Sequence, residues 1–88
     1  MIDILVVEDQ AQMGTLLCDF LKAEGYTVEL CPDGESALDF FEDTGARLVV
    51  LDVMLPGMDG YGVCRKIRET TNTPLFIVSA RVEKDDKL

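Results

Sequence analysis

The chain has 88 residues, of which 48% are hydrophobic and 28% charged, and this length suits one compact domain but not two independent cores. Seventeen acidic against eight basic residues give a net charge of -9, so this surface should repel nucleic acid and anionic lipid. The apolar core of the N-terminal segment, Ile4 to Val7, is too short for a signal peptide or a membrane span, so we expect a cytoplasmic protein.

Four short apolar runs predict the strands. Three of them are continuous, which is typical of strands buried on both faces of a parallel sheet, and the second alternates, which favours an edge position. The runs are Ile4 to Val7, Thr27 to Leu30, Leu48 to Leu51 and Leu75 to Val78.

A helix is predicted between the first two runs by apolar residues at positions i, i+3, i+4, i+7 and i+8, which form one stripe. The residues of that stripe are Met13, Leu16, Leu17, Phe20 and Leu21. Gly25 is expected to end this helix.

Two further helices are predicted along the chain. The second has Asp33 as its N-cap and ends at Gly45, and the third runs from about Tyr61 to Glu69. Their expected inward residues are Ala37, Phe40 and Phe41 in the second helix and Val63, Cys64 and Ile67 in the third. Residues 80–88 are expected to form a loop and the first turn of a fourth helix.

The three cysteines are Cys18, Cys31 and Cys64. Their odd number and the lack of CxxC spacing argue against a disulfide scaffold or a zinc site. We expect buried, reduced thiols.

The alternation of strands and helices predicts an α/β fold with a doubly wound parallel sheet. Crossovers between parallel strands are right-handed, and ligands of such sheets bind beyond the carboxyl ends of the strands. The functional site is therefore expected at that edge.

Three acids are predicted to meet there. Glu8 and Asp9 follow the first run, and Asp52 follows the third. Clustered carboxylates raise at least one pKa unless a cation neutralises them, and Mg²⁺ prefers such hard oxygen ligands. Taken singly, Asp9 could instead cap a helix and Asp52 could start a turn, but together the three acids favour a divalent-metal site.

A carboxylate beside a metal can also act as a nucleophile toward a phosphoryl group and form an acyl phosphate. Asp52 is the best candidate, because it stands singly at a strand end. Ser79, after the fourth run, is placed to offer a hydroxyl to a phosphoryl oxygen, although a plain strand terminus is an equal alternative for it.

The stretches "ILVVEDQ", "DGESAL", "LVVLDVMLPGMDGYGVCRKIR", "TPLFIVSAR" and "EKDDKL" together resemble the receiver domains of two-component response regulators, especially those that precede winged-helix DNA-binding domains. The resemblance covers essentially the whole chain. It implies a flavodoxin-like fold with strand order 2-1-3-4-5, and a signalling switch that takes a phosphoryl group from a sensor histidine kinase.

The resemblance also implies a role for each site residue. Asp52 is the phosphoacceptor, Glu8 and Asp9 are the Mg²⁺ carboxylates, the Met54 main-chain carbonyl is a further metal ligand, and Ser79 is the switch hydroxyl. The loop containing Pro56 and Gly57 is expected to keep Asp52 accessible.

Receivers of this kind have five βα units, so residues 1–88 are interpreted as the N-terminal part of such a domain, without its fifth strand, last helix and output domain. The family's lysine and switch aromatic then have no counterpart, and Lys84 and Lys87 are not assigned to those roles. The run Leu75 to Val78 becomes a bare edge, which predicts a homodimer through this strand or through segment exchange.

Two alternative functions remain open. An aspartyl-phosphate hydrolase would need a second acid two residues after the nucleophile, where this chain has Met54. A pseudo-receiver that no longer takes phosphate is the other alternative, because the lysine is missing. The leading interpretation is a phosphorylation switch rather than a turnover enzyme.

Overall fold

The computed structural model describes residues 1–52 and 60–78. The strands of this part are β1 (Ile2–Val7), β2 (Val28–Cys31), β3 (Ala46–Asp52) and β4 (Leu75–Val78). The helices are α1 (Ala11–Ala23), α2 (Gly34–Asp43) and α3 (Gly60–Thr70). All seven elements fall where the sequence predicts them, with ends that differ by one or two residues. The expected start of a fourth helix lies outside the described residues.

The four strands form one parallel sheet in the order β2-β1-β3-β4. The alternating strand β2 lies at an edge and the continuous strands β1 and β3 lie in the middle, as the apolar patterns predict. This arrangement is the flavodoxin-like fold in incomplete form, and within the described residues β4 pairs only with β3.

The main core lies between the sheet and the pair of helices α2 and α3. Val63 and Ile67 of α3 and Ala37 of α2 are buried there against alternate residues of the central strands. Those strand residues are Leu5, Val7, Val49 and Leu51. Because successive strand side chains point to opposite faces, the residues between them belong to the other face of the sheet.

On the opposite face of the sheet, α1 is the one helix among the described residues that packs against the strands, and the core there is smaller. It buries Ile4, Val6 and Cys18. Gly14 lets the helix approach β2 closely, since a Cβ at this position would stand 2.8 Å from Leu30 Cδ1.

The predicted stripe of α1 is only partly directed at the sheet. Leu17 and Leu21 pack against the core, whereas Met13, Leu16 and Phe20 are exposed. The physical reason is that α1 is seated on its small residues, Gly14 and Cys18, which turns one side of the apolar stripe away from the strands.

The helix ends follow local chemistry. Asp33 caps α2 by accepting a hydrogen bond of 2.8 Å from the backbone N–H of Ser36. Gly25 and Gly45 follow α1 and α2 with φ values of 101° and 85°, a backbone conformation that residues with a Cβ rarely adopt. Two cysteines, Cys18 and Cys31, are buried as expected, and Cys64 is half-buried.

Among the helices that the structure describes, none combines the length and the apolar character of a membrane-spanning helix.

The two-face packing predicts how removal of one methyl group acts on stability. Ile67→Val should lower the free energy of unfolding by about 0.5–1.5 kcal/mol, because it leaves a small cavity in the main core. Ile67 is 2% exposed, whereas Ile77 of β4 is 40% exposed. The matched change Ile77→Val should therefore cost less than about 0.5 kcal/mol. Urea denaturation measures both, and equal losses would contradict this packing.

Candidate functional site

The site is assembled by the register of the two central strands. Val7 of β1 pairs with Leu51 of β3, so the following residues, Glu8 and Asp52, emerge side by side at the carboxyl edge of the sheet. The backbone N–H of Glu8 donates a 3.0 Å hydrogen bond to the Cys31 carbonyl of β2, which fixes the end of β1 on its other side.

Glu8, Asp9 and Asp52 form one carboxylate cluster, in which one oxygen from each lies within 4.8 Å of the others. The cluster extends from solvent into the protein: Asp9 is exposed, Glu8 is half-buried and Asp52 is 5% exposed. The prediction that these three acids lie close together is confirmed. Asp52 is less accessible than expected, because it is still part of β3 rather than the first residue of a loop.

Glu8 shows the electrostatic cost of this cluster. Burial raises the pKa of its carboxyl group, and the nearby charges of Asp52 and Asp9 raise it further. One hydrogen bond acts in the opposite direction, since the backbone N–H of Gln10 donates to Glu8 Oε2 at 3.1 Å. This contact, from a side chain to the backbone N–H two residues later, was not predicted from the sequence.

Helix capping does not account for Asp9. The N-cap of α1 is Gln10, and its side chain makes no capping hydrogen bond. The first turn of α1 contains no acidic residue. The capping alternative considered for Asp9 is therefore not the arrangement that the structure has.

Two predicted site residues lie outside the described part of the chain. Met54 follows the end of β3 by two positions, and Ser79 follows the end of β4 by one. The last residues of the two strands, Asp52 and Val78, are paired in the sheet register. The loop residues Pro56 and Gly57 are likewise outside the described residues.

A family model described as "Response regulator receiver domain" matches residues 4–88. The chain belongs to the response regulator receiver family. Among curated relatives of this receiver, the "Transcriptional regulatory protein BaeR" of Escherichia coli is 41% identical over 85 residues, which are 97% of this chain and 35% of BaeR. The "Sensory transduction protein RegX3" of Mycolicibacterium smegmatis is 41% identical over 88 residues, 100% of this chain and 39% of RegX3. The chain thus spans little more than a third of these relatives.

Solved structures of receivers have the same fold. The Thermotoga maritima response regulator TrrA, in complex with Mg(2+)-BeF, matches with a TM-score of 0.86 and 32% identity, over 100% of this receiver and 77% of TrrA. The Francisella response regulator 1452 receiver domain matches with a TM-score of 0.86 and 25% identity, over 96% of this chain and 70% of that one.

The raised pKa of Glu8 predicts how stability depends on pH. A carboxyl group whose pKa is higher in the folded than in the unfolded state binds its proton more tightly when folded. The contribution of Glu8 to the free energy of unfolding is therefore fully present below pH 4.5, the ordinary pKa of a Glu side chain. It is lost as the pH rises through the higher pKa that Glu8 has in the folded state. The Glu8→Gln variant should therefore be more stable than the parent chain at pH 7, in a buffer that contains a chelator to remove divalent cations.

This stabilisation by Glu8→Gln should disappear below about pH 4.5, where Glu8 is protonated anyway. Glu42→Gln is the matched control, because Glu42 is exposed on α2 and its substitution changes the net charge by the same amount. Urea midpoints at pH 7 and pH 4 measure both variants. A gain from Glu42→Gln as large as that from Glu8→Gln would show that general repulsion, not the cluster, is responsible.

Proposed function

We propose that this receiver is a phosphorylation-dependent signalling switch, in which Asp52 accepts a phosphoryl group with the help of Mg²⁺ held by Glu8 and Asp9. The observation that carries the proposal is the cluster of three carboxylates at the carboxyl edge of a parallel sheet, in a chain of the receiver family. The gradient of burial is compatible with the proposed roles, in which the buried acid is the acceptor and the more exposed acids hold the metal.

The donor set suits Mg²⁺. Glu8, Asp9 and Asp52 offer hard oxygen atoms within 4.8 Å of one another, and a divalent cation would offset the repulsion that raises the pKa of Glu8. The Met54 carbonyl is proposed as a further ligand. When bound, the ion would neutralise charge on the phosphoryl oxygens.

The proposed chemistry is a single transfer. A carboxylate oxygen of Asp52 attacks phosphorus, the new P–O bond gives an acyl phosphate, and the bond between phosphorus and the donor nitrogen or oxygen breaks with its electron pair going to the donor. Slow hydrolysis later returns the carboxylate. The Ser79 hydroxyl is proposed to bind a phosphoryl oxygen and so report the modification, a local electrostatic change that biases a switch.

The proposed partners follow from the family. A sensor histidine kinase would supply the phosphoryl group to this receiver in the cytoplasm, and the acidic surface makes direct binding of nucleic acid by residues 1–88 unfavourable. Control of transcription would belong to a separate DNA-binding domain of the parent protein. A second copy of the chain is a further proposed partner, through the edge of β4 that no other described strand pairs with or through exchange of segments.

The phosphoryl acceptor can be tested by intact mass. The chain treated with acetyl phosphate and Mg²⁺ should gain the mass of one phosphoryl group, and Asp52→Asn should gain none. Asp39→Asn is the matched control, because Asp39 is an exposed acid on α2, and it should be modified like the parent chain.

The other outcomes distinguish the alternatives. If the parent chain gains no mass, residues 1–88 are an inert pseudo-receiver. Release of inorganic phosphate from many unrelated esters, with many turnovers, would indicate a hydrolase and overturn the proposed switch.

The metal site can be tested without phosphorylation. Mg²⁺ that binds only the folded state should raise the free energy of unfolding, by about 2.7 kcal/mol at a concentration 100 times its dissociation constant. Asp9→Asn should lose most of this gain, while Asp39→Asn should keep it. Thermal denaturation with Mg²⁺ and with a chelator measures the difference, and equal gains in both variants would place the ion elsewhere.

A further inference from the structure

Two backbone N–H groups determine where the carboxylate of Glu8 lies. The N–H of Glu8 itself donates a 3.0 Å hydrogen bond to the Cys31 carbonyl, which fixes the backbone of Glu8 at the end of β1. The side chain has several rotatable bonds beyond that point, so the end of the strand does not by itself locate the carboxylate oxygens. The second contact does so, because the backbone N–H of Gln10 donates to Glu8 Oε2 at 3.1 Å.

This second donor is available because of the way in which α1 begins. Gln10 is the N-cap of α1, and the first N–H groups of a helix have no partner within the helix. In a capping box, a Glu or Gln side chain at the third helical position binds the N-cap N–H. That position is Met13 in this chain, and its side chain has no oxygen. The Gln10 N–H is therefore left for Glu8.

The position of this donor is fixed by the packing of α1 on the sheet. The Gln10 carbonyl accepts a 2.9 Å hydrogen bond from the N–H of Gly14, so Gln10 is tied to the first turn of the helix. Gly14 is buried against β2, where a Cβ would stand 2.8 Å from Leu30 Cδ1. The contact of Gly14 with β2 thus locates the Gln10 N–H, and the Gln10 N–H locates the Glu8 carboxylate.

The same contact favours the charged form of the carboxylate. Burial, and then the charges of Asp52 and Asp9, raise the pKa of Glu8, whereas the hydrogen bond from the Gln10 N–H lowers it. A hydrogen bond to an ionised acceptor is stronger than one to a neutral acceptor. The contact therefore opposes the protonation that burial promotes, and a metal ion binds the deprotonated carboxylate.

We propose that the backbone N–H of Gln10 is a positioning group of the metal site, which holds the Glu8 carboxylate in place before a divalent cation binds at the cluster. The inference rests on the proposed function, because it takes Glu8 as a ligand of Mg²⁺. The N–H acts only through Glu8 and is not itself a ligand. Loss of a hydrogen bond that orients a metal ligand typically weakens metal binding by about 10- to 100-fold.

Gln10→Pro tests the proposal, because proline has no N–H. The φ of Gln10 is -88°, which is close to the value of about -65° that proline requires. Titration with MgCl₂, followed by the chemical shifts of backbone amides, should give a dissociation constant about tenfold higher than that of the parent chain.

Ala11→Pro is the matched control. It places proline at the first helical position, where proline is well tolerated, and it keeps the Gln10 N–H. Its dissociation constant for Mg²⁺ should stay within about twofold of the value for the parent chain. An increase as large as that from Gln10→Pro would show that any proline at this end of α1 disturbs the site, and would overturn the proposal.

A double variant shows whether the effect passes through Glu8. In a chain that already carries Glu8→Gln, Gln10→Pro should change the dissociation constant by less than about twofold, since the charged ligand that the N–H holds is absent. A loss of affinity as large as in the parent background would overturn the proposal. Gln10→Ala keeps the N–H, so a loss as large as that from Gln10→Pro would assign the effect to the side chain and would also overturn it.

A measurement without metal does not depend on whether Gln10→Pro folds. In a chelator, the Gln10 amide proton of the parent chain donates to a charged acceptor, and Glu8→Gln makes this acceptor neutral. The proton resonance should therefore move upfield in Glu8→Gln. It should not move in Glu42→Gln, which removes an exposed charge on α2. A Gln10 resonance that is unchanged in Glu8→Gln would overturn the proposal.

The titrations also separate this inference from the proposed function. A parent chain that binds Mg²⁺, together with a Gln10→Pro variant that binds it equally well, would overturn the positioning role alone. A parent chain that binds no Mg²⁺ would overturn the proposed metal site and this inference together.

Discussion

The parallel pairing of β1 with β3 is the constraint on which the rest of this receiver depends. Val7 lies opposite Leu51, and this register places Glu8 beside Asp52 at one edge of the sheet. A slip of one residue would turn the buried side chains of β3 toward the wrong face, so the core specifies the register strongly. The hydrophobic core therefore holds together acids that repel one another. Burial raises the pKa of Glu8, and the charges of Asp52 and Asp9 raise it further.

Much of this arrangement is predictable from sequence because it follows from short-range patterns. The continuous runs that become β1 and β3 predict central strands, and the alternating run predicts β2 at the edge. When β1 and β3 are parallel neighbours, the acids that follow them lie close together. The strand order that makes them neighbours is implied by the family resemblance, and the meeting of Glu8, Asp9 and Asp52 then needs no knowledge of side-chain packing.

The features that were not predicted depend on how elements pack. Periodicity identifies the apolar side of α1 but cannot show that Gly14 and Cys18 are its contact with the sheet, since small residues contribute little to an apolar stripe. The depth of Asp52 depends on the length of β3, which continues through the acid instead of ending before it. Strand ends are set by long-range pairing, in this case with Val78 of β4.

The carboxylate cluster also borders the apolar face of the sheet beside α1. Glu8 and Asp52 line the end of an apolar groove on that face as well as the cluster itself. Burial disfavours the charged form of Glu8 and raises the pKa of its carboxyl group, and the charges of Asp52 and Asp9 raise that pKa further. A cation bound at the cluster would therefore offset an electrostatic cost that the apolar face of the sheet helps to create.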